Sequence, residues 1–528
     1  MAGAWAAGAL AAFTVYLRLA QTRAVNSDGA SQALQAWDML HGNPLLRGWT
    51  VSDVSFYTTE LPQYALVELI RGLRADVVDI AAAMTYTLVV LLAALVARGN
   101  ASGREALARV AVAAGIMLAP QLGSGTNVLL SSPDHIGTSV PLLLTWLALD
   151  RGGRRWYVPV ITSALLAWTE VADSIVAIAG IIPLALVCLA RAWRAALARS
   201  GRDARYELAL AGGALAAAVA ASWALRAVTA AGGFTVRPLS TRIAPAGEIF
   251  LHNLPVAGQC LLVLFGADIT GPPTARAAFF LLPHLAGVAL AAAGAWLAAR
   301  RIRRGGDLAG QVLLAAIVVN LAAFLLTERV VDPSSAREVA PVLPFAAALA
   351  ARELSPVLAR IRPRSPARVP GAATARAPRL AGCLLIVIGI GYLGGLGREL
   401  AVPAAPPQGA ALTAWLASHR LRGAGLGGYW QASVVTLASG GTVAMRPIAD
   451  AGGGGVGQHP GEVDEAWFDP RRSVARFVVL SRGEPGYPGF ADYRAVRATW
   501  GAPARVYRVG QDTIWYWPKQ NLLSTIGH

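Results

Sequence analysis

Lysine is almost missing from this chain: Lys519 is the only one in 528 residues, so the 46 basic side chains are nearly all arginine. Charge of either sign is scarce, at 14%, where soluble domains carry roughly 25%, and the mean hydropathy is +0.50. So little polar surface cannot cover a soluble globule of this length, which excludes that class and leaves a membrane protein. Cysteine is scarce too. Cys188, Cys260 and Cys383 each lie in an apolar stretch without metal-ligand spacing, so neither a disulfide framework nor a zinc site is indicated. A formal charge of +16 would point to nucleic acid only with a basic stripe interleaved with aromatics, and none is present. Nothing in the sequence requires a metal or another cofactor.

What is present is a series of long apolar runs. A bilayer core needs about 20 apolar residues per helix, and candidate spans fall near residues 4–20, 78–97, 107–121, 136–150, 156–170, 174–192, 207–230, 276–299, 308–327, 340–359 and 380–397. The first run has no basic flank or clear small-residue cleavage site and reads as a retained helix. Arginines gather around 98–109, 151–155, 191–205, 300–304 and 360–379. These are every second loop, and positive loops stay in the cytoplasm. The sequence therefore predicts a polytopic α-helical membrane protein with about eleven spans, multi-pass in the plasma membrane and with its N-terminus inside. Residues 1–400 form the membrane domain, with long outer loops at 21–76 and 232–275. In the second loop, His252 to Phe265 is too short to cross and reads as re-entrant or surface-lying. The Pro- and Arg-rich stretch 360–379 reads as a connector.

After Pro403 the texture changes. Alternating runs at Ala475 to Leu480, Arg505 to Val509 and Thr513 to Trp517, separated by helical patterns at Ala410 to Arg422 and Asp492 to Trp500, predict a small extracytoplasmic α/β domain over 401–528. The glycines of 452–457 form a loop tip; without a Lys-Ser/Thr ending they are no phosphate loop. Trp49, Trp430, Trp515 and Trp517 read as interfacial or core aromatics.

Acidic and polar residues collect on the outer side: Asp28, Asp53, Glu60, Asp134, His135, Glu170 and Asp173. Charges near membrane depth are costly unless they line a cavity or find partners, so their convergence predicts an aqueous outer cleft. Asp28 begins an amphipathic helix, with Ala30, Leu34, Trp37 and Leu40 on one face, expected to lie on the membrane surface. At that height a carboxylate could take a proton from a hydroxyl beside the headgroup of a lipid-linked donor. It could equally be a helix cap. Asp53 and Glu60 could instead cap helices or pair with Arg47 or Arg71, and Arg337 could pair with Glu338 or Asp332.

The run Asp28-Gly-Ala through Ala36-Trp-Asp-Met-Leu-His-Gly42, the later Phe56-Tyr-Thr-Thr-Glu60-Leu-Pro62, and Arg337-Glu-Val-Ala-Pro341-Val-Leu-Pro344-Phe resemble the GT-C superfamily. Within it the likeness is to the branch of protein-mannosyltransferase-like and aminoarabinose-transferase-like enzymes that use polyprenyl-phosphate sugars. The resemblance covers roughly residues 1–400. It implies a GT-C-like fold, a polyprenyl-phosphate sugar as donor, and a glycan, lipid or protein as acceptor. It also implies Asp28 as general base and Arg337, with Arg329, facing the donor phosphate. Asp53, Glu60, His135 and Asp173 are further candidates for substrate binding. The aminoarabinose branch has Lys-Pro-Pro where this chain has Glu60-Leu-Pro62, so an acid stands in place of a phosphate-contacting lysine. Two other readings stay open: a transporter or flippase, against which the absence of an internal repeat counts, and an inactive scaffold of the same architecture.

Overall fold

The computed structural model describes residues 2–118, 128–237, 241–269, 275–302, 306–360, 376–452, 454–484 and 487–526. Each of the eleven apolar runs contains a helix: Ala2–Ala20, Asp76–Arg98, Gly103–Met117, Asp134–Gly152, Tyr157–Ala172, Ala177–Leu197, Gly201–Ala230, Ala275–Arg301, Leu308–Leu325, Val342–Arg360 and Arg376–Leu400; residues 119–121 of the third run lie outside the described residues. Among the described residues six helices are long and apolar enough to cross a membrane: Asp76–Arg98, Ala177–Leu197, Gly201–Ala230, Ala246–Leu264, Phe279–Arg301 and Leu308–Leu325. Trp5–Ala20 and Tyr157–Ala172 are apolar but shorter. Most of the expected connector over 360–379 lies outside the described residues.

One of the six differs from the sequence reading. The stretch expected to be a short helix from His252 extends back to Ala246 and gains the length of a span. Its polar groups nevertheless bond at one end of the bundle: Asn253 Nδ2 donates to the carbonyls of Leu325 and Thr327 at 2.9 and 3.0 Å, and a His252 ring nitrogen meets Val330 O at 2.8 Å.

Small residues let the helices pack closely, as expected where lipid supplies no hydrophobic drive for helix association. A Cβ on Gly294 would fall 2.5 Å from Ala350 Cα, so only glycine permits the approach of Ala275–Arg301 to Val342–Arg360. Tyr16 and Tyr86 meet edge to face at 4.8 Å within the core. Trp156 and Leu251 are more than four-fifths exposed, which suits a lipid-facing surface.

Contacts gather four of the arginine-rich loops at one end. Buried Arg352 bonds Asp150 at 2.9 Å, Val96 O at 2.7 Å and Asp307. Nearby, Arg301 bonds Glu353 at 2.6 Å and Arg194 donates to Ile302 O at 2.9 Å. The acidic cluster lies at the opposite end.

The C-terminal region is a six-stranded sheet in the order Arg505–Val509, Asp512–Tyr516, Ala475–Leu480, Ala424–Gly427, Met445–Gly452, Gly455–Gln458. Ala424–Gly427 runs parallel to both neighbours and the outer pairings are antiparallel. Ala475–Leu480 alternates as a strand must: Phe477 and Val479 face the helices Ala410–His419 and Tyr429–Ala438, while Val478 and Leu480 pack with Val496 and Trp500 on the other face. The glycines expected at a loop tip partly belong to the strands of the hairpin Met445–Gly452 and Gly455–Gln458. Trp49 and Trp517 are core residues, whose indole nitrogens donate to Asp38 at 2.8 Å and Ala502 O at 3.1 Å. A separate small sheet pairs Trp49–Val51 with Thr235–Val236 and Val463–Asp464, joining both long loops to the C-terminal region.

Candidate functional site

The site is built on the helix Ser27–Leu40. Asn26, not Asp28, is its cap: Asn26 Oδ1 accepts from Gly29 N at 3.1 Å, which leaves the Asp28 carboxylate free to point away. The expectation that this helix lies on a membrane surface is corrected. Ala30 and Ala33 share a buried cluster with Tyr64 and Val67 of the helix Glu60–Arg71, with Val78, and with Val434 and Leu437 of the C-terminal region. The face that looks solvated in sequence is also covered: Gln35 Nε2 donates to Glu462 Oε2 at 2.5 Å, and Ser31 bonds the same oxygen. Gln32 Nε2 donates to Asp134 Oδ1 at 3.1 Å.

Asp28 lines a cavity of about 160 Å³ together with Asp53, Asp134, His135, Arg329, Arg337, Glu338, Tyr429 and Glu462. Its Oδ2 lies 3.7 Å from Arg337 Nη1, and its Oδ1 accepts from the Tyr429 hydroxyl at 2.7 Å. Burial, reinforced by the charge of Asp134, pushes the Asp28 carboxyl up to about 6, against the opposing pull of Arg337 and the Tyr429 hydrogen bond. Glu462 is pushed up to about 7, again chiefly by burial.

Two further cavities adjoin this one, and Asp53 and Arg329 line all three. One, of about 220 Å³, has Ile175, Ile178, Ala323 and Phe324 in its wall. The other, of about 440 Å³, lies against the C-terminal region, with Arg237, Tyr429, Trp430, His459 and Glu462. Trp430, read in sequence as an interfacial or core aromatic, lines this cavity.

Of the residues singled out in sequence, Asp28, Asp53, His135, Arg329 and Arg337 meet in one place. Asp53 pairs with Arg329 at 2.7 Å, not with Arg47. Asp173 lies just beneath, lining the apolar cavity. A His135 ring nitrogen meets its Oδ2 at 2.7 Å, Thr138 donates to it at 2.6 Å and Ile175 N at 3.0 Å. An ion pair so enclosed costs about 3–5 kcal/mol when one member is removed, so this pair holds His135 in place.

Glu60 does not line the cavity. It is 1% exposed, packs against Gly137, where any Cβ would strike its carboxylate, and accepts from Thr59, while among the described residues its Oε1 has no hydrogen-bond partner. Burial pushes it up to about 8.

Tyr429, Glu462 and His459 escaped the sequence reading. Tyr429 stands 401 residues from Asp28 and belongs to no motif. A backbone signal marks the same place: Phe56, Asp134 and Glu462, all in the cavity wall, have φ of 49°, 35° and 57°. Strained non-glycine backbone of this kind persists where surrounding structure enforces it, often at functional sites. Among the described residues no group of three or more His, Cys, Asp or Glu is arranged to hold a metal ion.

No protein-family model matches the chain, and no curated protein matches it. Among solved structures it is similar to ArnT from Cupriavidus metallidurans bound to undecaprenyl phosphate. The two are 15% identical, and the match covers 100% of this chain and 99% of that one at a TM-score of 0.55. The Archaeoglobus fulgidus oligosaccharyltransferase tethered to an acceptor peptide matches at 15% identity over 97% of this chain and 74% of that one, with a TM-score of 0.49. The chain shares the fold of that ArnT structure along its length.

Proposed function

Starting from that fold, we propose that the protein is an integral membrane glycosyltransferase that moves a sugar from a polyprenyl-phosphate carrier to a hydroxyl-bearing acceptor on the extracytoplasmic face. The observation that carries this reading is the position of Asp28. It is a half-buried carboxylate with Arg337 at 3.7 Å, in a cavity that also holds Arg329.

In this scheme Asp28 takes the proton of the acceptor hydroxyl as its oxygen attacks the anomeric carbon. The bond to the carrier phosphate breaks and the phosphate leaves with the electron pair. A base titrating near neutrality suits the proton transfer. The leaving group needs electrostatic support more than protonation, and two guanidiniums supply it with the planar donor geometry that phosphate accepts. The apolar cavity with Ile175, Ile178 and Phe324 suits the first units of a lipid tail, and ArnT itself has been seen with undecaprenyl phosphate. The polar cavity on the far side of Asp28 is then left for the acceptor, which can be a glycan, a lipid or a protein. Glu60, buried behind the cavity, takes no direct part, so the missing lysine of the aminoarabinose branch is not replaced by an acid at the phosphate.

The test is transfer from radiolabelled polyprenyl-phosphate sugars in membranes, with the wild type set beside Asp28→Asn. Loss of a general base is expected to slow transfer by roughly 10²–10⁴-fold. Equal transfer by the two proteins would remove the mechanism, and none by either would favour a scaffold or a transporter.

A further inference from the structure

The catalytic cavity is assembled from two parts of the chain, and the part supplied by the C-terminal region touches the base. Tyr429 opens the helix Tyr429–Ala438, and its ring is fixed on several sides. It stacks on His459 at 4.7 Å and 14° and meets Trp430 edge to face at 5.1 Å. Its carbonyl accepts from Ser27 Oγ at 2.6 Å, the residue just before Asp28. The preceding Gly428 has no room for a Cβ, which would lie 2.6 Å from Phe490 N. The phenol therefore reaches Asp28 Oδ1 from a rigid mount at 2.7 Å, while Oδ2 is left towards Arg337. One turn further along, Glu462 accepts from Gln35 and Ser31, and its Oε1 accepts from Ser52 N at 3.1 Å. The C-terminal region thus grips successive turns of the helix that carries the base.

We infer that Tyr429 is a positioning residue for Asp28: its hydroxyl locks one carboxylate oxygen and leaves the other to meet the acceptor. The inference rests on the reading of Asp28 as the base. The groups facing Asp28 are neutral Gln32 on its own helix, Asp134 from the start of the helix Asp134–Gly152, Asp53 from the first long loop, Arg337 from the turn Pro333–Val339, and Tyr429 and Glu462 from the C-terminal region. Of these, Tyr429 is the one that donates a hydrogen bond to it. A donor to the charged form favours that form, so removing it raises the pH at which Asp28 gains its proton.

The experiment uses the full-length protein in detergent and has two arms. In the first, a hydrophobic carbodiimide, which reacts with protonated carboxyls, is titrated against pH and modification of Asp28 is read by peptide mass spectrometry. Tyr429→Phe is expected to move the labelling midpoint up by ~1 pH unit. Site-specific replacement of Tyr429 by 3-fluorotyrosine, a stronger donor of the same shape, is expected to move it down. In the second arm the acid limb of the transfer rate moves with the labelling midpoint, so the Tyr429→Phe defect is largest at low pH and recovers as pH rises.

Midpoints that coincide in wild type, Tyr429→Phe and the fluorotyrosine protein, with unchanged melting temperatures, overturn the inference; the fluorotyrosine protein decides alone if Tyr429→Phe fails to fold. If Asp28→Asn is inactive and only the midpoints fail to move, the base stands and Tyr429 loses its role. If Asp28→Asn transfers like the wild type, the base reading falls and takes the positioning role with it, whatever the labelling shows.

Discussion

Arg329 Nη2 bonds Asp53 Oδ2 at 2.7 Å across 276 residues of sequence, at the one place where the three cavities meet. Glu338 stands 3.4 Å from the same guanidinium, so Arg329 is held by two carboxylates with its planar face fixed. A lysine would keep the charge but lose the fork. Arg329→Lys is expected to raise the apparent KM for the lipid-linked donor by about tenfold or more, which is the ~1.4 kcal/mol or more of one charge-assisted hydrogen bond. Steady-state transfer at varied donor concentration checks this; an unchanged KM would move the phosphate elsewhere.

The Asp28 carboxyl, pushed up to about 6 by burial and by Asp134, gives the reaction an acid limb. A base works only when ionised, so the rate is expected to be full well above pH 6 and to fall as pH drops through about 6, rather than near 4 as for an exposed carboxylate. The dependence of kcat/KM on pH reads this directly. A flat profile between pH 5 and 8 would contradict it.

Glu60 carries a stability prediction of opposite sense. Its folded-state value, pushed up to about 8, exceeds that of an unfolded glutamate, so the folded protein holds the proton more tightly. The stability this gives is fully present below the ordinary glutamate range and is lost as pH rises through about 8, at up to ~1.4 kcal/mol per pH unit in between. Glu60→Gln is expected to raise the melting temperature at pH 9 and to change it little at pH 5. Equal shifts at the two pH values would show that the carboxyl is already ionised in the fold.

Topology is tested by cysteine labelling in intact cells. Val506, exposed on an edge strand of the C-terminal sheet, and Arg202, exposed at the arginine-rich end, are suited to it. An impermeant reagent is expected to reach Val506→Cys and to miss Arg202→Cys. The reverse pattern would invert the orientation argued from arginine placement.

The helical framework was legible because apolar length is a strong signal: every run of sufficient length holds a helix, and four of the five arginine-rich loops meet at one end of the bundle. The convergence of Asp28, Asp53, His135 and Arg337 was legible for the same reason, since charges at helix ends have few places to go. Other parts were hidden by local chemistry. The central strand Ala424–Gly427 has almost no side chains because a Cβ on Gly425 would collide with Phe477 and Met445, so its sequence carries no β signal. Ser31 and Gln35 look like a solvated face until Glu462, more than 420 residues away, arrives to bond them. Tyr429 had no neighbour in sequence to mark it.

The small sheet that pairs Trp49–Val51 with Thr235–Val236 on one side and Val463–Asp464 on the other ties three segments from separate regions of the chain into one backbone ladder. None of the three can swing aside alone without breaking that ladder. Whatever displaces one of them must therefore carry the other two along, and a disulfide that fixed any one would restrain all three.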